Sequence, residues 1–383
     1  MMGIATLASA QAIPNLPLPI GAGTAEVWND SLYYFGGSSR WSGTVLYPRV
    51  YKFNGESWSY VDSIPDNNMW DTKSVLVGDD VYLLGGWRNG AGLVRKYNLP
   101  TGRWSYLSSG PNTTTWGITA QHVNGSIYLF NDRGNTFEYD IASNSWDTKS
   151  SNSNTAYLGL SSVVYQDEIY IIGYYDSSFH KYTPATDSWT ELAPTPYSLV
   201  ACAMGIINNS IYCVGGYSGD GARVRYHTIL AYDLTRNSWT LDSSQISGKR
   251  YHAESAEYRG RLYVLGGFDT TGAAVDIVEE IVPLGPVGVD GAEQLPTEFS
   301  LDQNYPNPFN PITTIQFSIV NTQFTILKVY DILGREVATL VSGIRPAGEH
   351  TVRFDATGLA SGVYLYRLTT PTYSATRKLL LLR

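Results

Sequence analysis

Residues 205–216 read GIINNSIYCVGG. Two apolar runs flank the pair Asn208-Asn209, and the second run ends in Gly215-Gly216. Asn tolerates the left-handed backbone of a tight turn, so the stretch predicts a two-stranded antiparallel hairpin closed by glycines. Its second half recurs as LYYFGG (32–37), VYLLGG (81–86), IYLFND (127–132), IYIIGY (169–174) and LYVLGG (262–267). The first residues of the six terminal pairs stand at 36, 85, 131, 173, 215 and 266, giving steps of 49, 46, 42, 42 and 51. A second landmark is a tryptophan: Trp58, Trp104, Trp146, Trp189 and Trp239. From each Trp to the next terminal pair the gaps are 27, 27, 27, 26 and 27; from each pair to its own Trp they are 22, 19, 15, 16 and 24.

One half of the unit is therefore fixed in length. It holds an outer strand, a loop and an inner hairpin. The other half, after the glycine pair, absorbs the variation. A unit of about four short strands cannot bury both faces alone and must stack on neighbours. Four-stranded units repeating at about 40–50 residues predict an all-β fold, a β-propeller. Composition agrees, with 29 Tyr, 10 Trp and 37 Gly among 383 residues, which favours strands and tight turns.

The repeat resembles the Kelch family. The matching features are the apolar run with Tyr before Gly-Gly, the steps Tyr139-Asp140 and Tyr232-Asp233, and a Trp at near-fixed spacing. The resemblance covers residues 12–285 and implies six blades. The third and fourth units depart from it, with Asn131-Asp132 and Gly173-Tyr174, and the sixth lacks its Trp. The segment 11–19, QAIPNLPLP, resembles TELAPTP (190–196), the stretch after Trp189. It is therefore expected to supply the outer strand of the last blade, with Ala12 at the missing Trp position.

The N-terminus, MMGIATLASAQA, has the apolar stretch and small-residue end of a signal peptide but no basic residue before Arg40. Residues 1–12 are read as the remnant of an export signal, 13–283 as the propeller and 284–297, rich in Pro and Gly, as a linker. The pattern then restarts over 298–383 with alternating apolar residues between turns, which predicts a small Ig-like β-sandwich of about seven strands.

This last block resembles the type A C-terminal sorting domain of type IX secretion substrates. The residues that carry the likeness are Asn304-Tyr305-Pro306-Asn307-Pro308-Phe309-Asn310-Pro311, then Gly334, Gly362 and Tyr364, and finally Lys378 to Arg383. The resemblance implies a Gram-negative cell and export through the periplasm. It also implies partnership with the secretion machinery and its C-terminal signal peptidase, and release or display at the outer-membrane surface. A retained adhesive module is the alternative.

Charge excludes some partners. The net charge is −8; residues 298–383 hold 8 basic and 6 acidic residues, leaving 18 and 28 for residues 1–297. Neither part has the basic excess of a nucleic-acid binder. No run of about 18 apolar residues exists, so no spanning helix is encoded.

No catalytic or metal constellation stands out, and no cofactor is expected. The five histidines (His122, His180, His227, His252 and His350) are scattered without metal-ligand spacing. Both cysteines, Cys202 and Cys213, fall in one hairpin as diagonal neighbours, about 7–8 Å apart, and read as buried thiols. A copper-radical site of the galactose oxidase type is not supported.

What remains is the face formed by the loops after the glycine pairs and the loops leading into the inner strands. It carries Trp41, Trp70, Trp87, Arg88, Trp116, Arg133, Tyr157, Tyr175, Tyr197, Tyr217, Arg223, Arg250, Tyr251 and His252. Aromatics and Arg dominate binding hot spots, and aromatic rings stack on sugars. The expectation is a glycan- or protein-binding propeller. The alternatives are an enzyme acting on a sugar acid or glycan through Arg250, Tyr251 and His252, and a passive adhesion component.

Overall fold

The computed structural model describes residues 12–42, 45–66, 71–85, 92–111, 117–131, 133–152, 157–174, 177–207, 209–218, 224–282, 298–320, 323–345, 348–370 and 373–382. The chain divides into two compact units that meet in sequence near residue 284. Among the described residues there is no α-helix; a single 3-10 turn spans Pro184–Thr186.

The first unit is a six-bladed propeller. Blade one is β1 (Thr24–Trp28), β2 (Ser31–Phe35), β3 (Arg49–Phe53) and β4 (Trp58–Ser63). Blade two is β5 (Thr72–Val77), β6 (Asp80–Gly85), β7 (Val94–Asn98) and β8 (Arg103–Tyr106). Blade three is β9 (Ile118–Val123), β10 (Ser126–Asn131), β11 (Thr136–Asp140) and β12 (Ser145–Lys149). Blade four is β13 (Tyr157–Tyr165), β14 (Glu168–Tyr174), β15 (Phe179–Thr183) and β16 (Ser188–Leu192). Blade five is β17 (Ala203–Ile207), β18 (Ser210–Val214), β19 (Thr228–Asp233) and β20 (Ser238–Gln245). Among the described residues blade six has three strands, β21 (Glu254–Tyr258), β22 (Arg261–Leu265) and β23 (Val278–Ile281). The innermost strands β1, β5, β9, β13, β17 and β21 neighbour one another in turn, and β21 meets β1 to close the ring.

Past its polar first residue each second strand is mainly apolar or tyrosine, because both its faces are buried between blades. Leu32 and Tyr34 of β2 pack towards blade six with Tyr258 and Leu265, whereas Tyr33 and Phe35 pack towards blade two with Val81 and Leu83. The glycine pair ends that strand for steric reasons. A side chain on Gly215 would collide with the carbonyl of Arg250 from the next blade, and one on Gly216 with the carbonyl of Val200. Both adopt positive φ, 66° and 90°. In blade three, Asn131 takes the first place instead, and its Oδ1 accepts the amides of Arg133 and Asn135.

The tryptophan spacing has a matching cause. Trp146 Nε1 donates to the Ser108 carbonyl and Trp189 Nε1 to that of Ser150, each just past the outer strand of the preceding blade. Two residues before each Trp, an Asx side chain completes the latch. Asn144 Oδ1 accepts Ser108 N–H and Tyr139 O–H; Asp187 Oδ1 accepts Ser150 N–H and Tyr182 O–H. Asn237 Oδ1 accepts Ala193 N–H and Tyr232 O–H in the same way. Asn144, Asp187 and Asn237 sit at φ of 53°, 48° and 50°, a left-handed conformation that Asn and Asp tolerate. The recurring tripeptides Asn-Ser-Trp and Asp-Ser-Trp are thus a blade-to-blade clamp.

Residues 12–20 complete the ring, although not as a ladder strand. Leu16 N–H donates to Asp276 O and Ile20 N–H to Val275 O, beside blade six. Pro14, Pro17 and Pro19 remove the donors a regular strand needs. Ile13, Leu16 and Ile20 are buried between blades six and one, each contributing roughly 1.5–3 kcal/mol of apolar burial. Trp58 Nε1 donates to the Pro14 carbonyl. In blades three and four the accepting residue stands four positions after the preceding Trp, so the missing Trp position corresponds to residue 10 rather than Ala12. Residue 10 lies outside the described residues.

The second unit is a sandwich of β24 (Ser300–Leu301), β25 (Ile312–Ile319), β26 (Gln323–Asp331), β27 (Glu336–Arg345), β28 (Gly348–Asp355), β29 (Gly362–Thr369) and β30 (Ser374–Leu381). One sheet has the order β24-β25-β28 and the other β27-β26-β29-β30. Their inner faces share a core of Leu301, Ile315, Phe317, Leu327, Val329, Phe354, Tyr366 and Leu379.

Candidate functional site: the loop face and the channel mouth

The loop face is built by backbone bridges between neighbouring blades and within them. Trp41 N–H donates to Gly272 O and Ala274 N–H to Ser39 O, tying the loop of blade one to that of blade six. Tyr217 bridges to Val200 and to Arg225. Half-buried Trp41 and Tyr217 thereby flank two buried residues, Tyr251 and His252. The Trp41 and Tyr251 ring centroids are 5.6 Å apart, those of Tyr217 and Tyr251 5.3 Å, and Phe268 lies beneath at 5.7 Å from Tyr251. Arg225 stacks its guanidinium over Tyr251 at 5.2 Å.

His252 is the chemically unusual member. It is 7% exposed, at φ 49°, and among the described residues its Nε2 has no hydrogen-bond partner. Trp41 lies against it, and Nδ1 is 3.8 Å from Asp71 Oδ1, beyond hydrogen-bonding distance. Burial first, then the Lys73 ammonium, pushes its pKa down to about 3, so the ring is neutral.

Other residues singled out from the sequence fall elsewhere. Arg250 is 2% exposed and committed to structure: it binds Glu279 Oε2 at 2.7 Å and the carbonyls of Ile277 and Gly266. Neighbours in sequence, Arg250 and His252 are therefore not offered together to one ligand. Tyr197 donates to or accepts from Thr228 Oγ1 and packs on Tyr226 at 4.4 Å, a structural role. Arg133 is exposed. Trp70, Trp87, Arg88, Trp116, Tyr175 and Arg223 lie outside the described residues, as does the Tyr157 side chain.

Below the mouth runs the channel, lined by the innermost strands and enclosing about 330 Å³. Glu26, Lys73 and Glu254 project into it from β1, β5 and β21. Sequence reading missed them because each looks like the polar position of a strand with one solvated face. Burial, with Glu254 adding, raises Glu26 to about 7, and burial raises Glu254 as well. Cys202 and Cys213 are both free and buried, and the Cys213 thiol reaches Cys202, closer than diagonal ladder spacing implies because Cys202 precedes β17. Among the described residues no three His, Cys, Asp or Glu gather to hold a metal. No helix among them is long and apolar enough to cross a membrane.

In the second unit the proline-rich segment is tied down at both ends. Asn304, buried, donates Nδ2 to Pro306 O and Thr313 Oγ1. Asn307 Oδ1 accepts Leu380 N–H, and buried Phe309 pairs with Leu381. Gly334 turns the β26–β27 hairpin at φ 81°. Tyr364 O–H donates to Ala360 O at the start of β29. Gly362 opens that strand, Lys378 is exposed on β30, Tyr305, Pro306, Pro308 and Asn310 are exposed, Pro311 is half-buried, and Arg383 is outside the described residues.

Comparison with known proteins agrees with this architecture. Residues 32–275 match the Attractin/LZTR1 β-propeller profile, and residues 303–382 match the secretion system C-terminal sorting domain. Human Kelch repeat and BTB domain-containing protein 12 is 26% identical over 140 residues, 33% of this chain and 22% of that protein. Kelch-like protein 21 of Danio rerio is 35% identical over 95 residues, 23% of this chain and 14% of that protein. The chain thus spans less than a quarter of these relatives' length. The solved structure of YjhT superposes with a TM-score of 0.60 at 17% identity, covering 70% of this chain and 97% of that one. The sorting domain marks a protein secreted by the type IX system, to the cell surface or beyond. The chain belongs to the Attractin/LZTR1 β-propeller family, in a Kelch-like form that carries a secretion system C-terminal sorting domain.

Proposed function

We propose that the propeller is an extracellular binding module that takes a glycan at its loop face. The observation that carries this reading is the pair Trp41 and Tyr217, half-buried and flanking Tyr251 and His252. Trp41 is tied to blade six through its N–H to Gly272 O, and Tyr217 is held within blade five by bridges to Val200 and Arg225, so little ordering is needed on binding. Flat, half-exposed rings suit the apolar faces of sugars, and Arg225 supports the platform. Binding of the secreted protein to a polysaccharide array, lost in Trp41→Ala and Tyr217→Ala at unchanged melting temperature, is the expected result. A silent array with folded protein would shift the assignment to a protein partner or a passive surface role.

The tail is proposed to direct export from the periplasm across the outer membrane of a Gram-negative cell and to be removed by the C-terminal signal peptidase. Asn304, Asn307 and Phe309 hold its proline-rich segment in the fold. Deletion of residues 298–383 is expected to leave the propeller in the periplasm; equal amounts of truncated and intact protein in the medium would contradict this.

A further inference from the structure

The channel holds groups that the loop face does not use. Most of its hydroxyls are already matched across adjacent innermost strands. Thr24 pairs with Ser74 and Thr119 with Ser162; Ser161 donates to Cys202 O and Ser255 to Met204 O. What is left uncompensated is charge. Glu26 and Glu254 stand on the neighbouring strands β1 and β21, and among the described residues lining the channel the one Lys or Arg, Lys73, lies 3.9 Å from Glu254. Tyr34, wholly buried in the core between blades six and one, sets its ring against Gly23, and burial first, then the nearby Glu254 carboxylate, raises its hydroxyl pKa. On the opposite wall Gln121 donates its amide N–H to Ser162, which leaves the amide carbonyl as an acceptor. The enclosed volume, about 330 Å³, falls within the range of small-molecule sites.

We propose that the channel is a second ligand site, taking a small polyhydroxylated amine, an amino sugar, with its ammonium between Glu26 and Glu254 and its hydroxyls towards Gln121. The site stands on the innermost strands and does not depend on the loop-face reading. Two carboxylates facing one lysine leave the channel short of positive charge. An ammonium supplies it and lets both carboxylates ionise, where burial of each, and for Glu26 also the Glu254 carboxylate, now resists this. Lys73 competes with the ligand for Glu254.

Calorimetric titration of the full chain with glucosamine, N-acetylglucosamine and glucose tests this. Glucosamine is expected to bind at least tenfold more tightly than the other two, which lack the charge. Glu26→Gln and Glu254→Gln are expected to weaken it at least tenfold. Lys73→Met is expected to tighten it several-fold, an improvement that a damaged fold would not produce. Equal heats for glucosamine and glucose, no heat from glucosamine at millimolar concentration, or a Lys73→Met variant with unchanged or weaker affinity would overturn the proposal.

Discussion

The imidazole of His252 lies against the indole of Trp41, with ring centroids 4.4 Å apart and planes tilted by 34°. Trp41 is thus one wall of the dry box that keeps His252 neutral, with Tyr251 and Phe268 as others. Trp41→Ala should admit water and let the His252 pKa climb from about 3 towards its ordinary 6.5. Proton NMR titration of the imidazole reads this directly. A wild-type ring that already titrates near 6.5, or a variant ring that stays neutral at pH 5, would show that Trp41 is not the seal.

Stability against pH carries the mark of two opposed groups. His252 titrates near 3 when folded and 6.5 when unfolded, so the unfolded chain takes the proton first and stability is lost as pH falls through that window. Glu26 titrates near 7 when folded against 4.5, so the folded state holds an extra proton and stability is lost as pH rises from 4.5 to 7. Lys73, Asp71 and Glu254 are the charged groups beside them. Between 4.5 and 6.5 the two effects oppose. Glu26→Gln removes one of them, so urea unfolding should show a variant more stable than wild type above pH 7 that loses stability more steeply on acidification. Parallel profiles would contradict this.

The Asx latch between blades should be strong for its size. Asn237→Gly keeps the left-handed backbone, φ 50°, and removes the acceptor for both Tyr232 O–H and Ala193 N–H. The expected loss is about 1–3 kcal/mol by chemical denaturation, because two hydrogen bonds of the latch that ties blade four to blade five are removed together. Asn237→Asp keeps the acceptor and should stay close to wild type.

Arg250 and Trp41 should separate stability from binding. Arg250→Met breaks a buried pair with Glu279, whose partial exposure tempers the cost to about 2–3 kcal/mol. It should lower the melting temperature and leave loop-face affinity unchanged, whereas Trp41→Ala should do the reverse in larger part. Equal loss of binding in both would mean that the face is assembled through Arg250.

The architecture was legible because its two strongest constraints are periodic. Glycine is demanded where neighbouring carbonyls crowd Gly215 and Gly216, and Trp where an indole must reach the carbonyl of the preceding blade. The Asx two residues before Trp146, Trp189 and Trp239 was visible in the same sequence and signals the same clamp. The site was less legible for a physical reason. Arg250, Tyr251 and His252 are consecutive on a loop, and nothing in their order shows that Arg250 and Tyr251 turn into the core. Their burial depends on Glu279, Trp41 and Phe268, far away in sequence. Glu26 and Glu254 were hidden similarly, since a strand's period of two separates its faces but does not distinguish bulk water from an enclosed channel.

The most direct test of the central claim is a polysaccharide array probed with the secreted protein and its Trp41→Ala variant, with melting curves alongside. The account predicts a defined glycan bound by wild type and at least tenfold weaker binding by a variant that remains folded. Undiminished binding by folded Trp41→Ala, or no glycan bound by wild type, would contradict it.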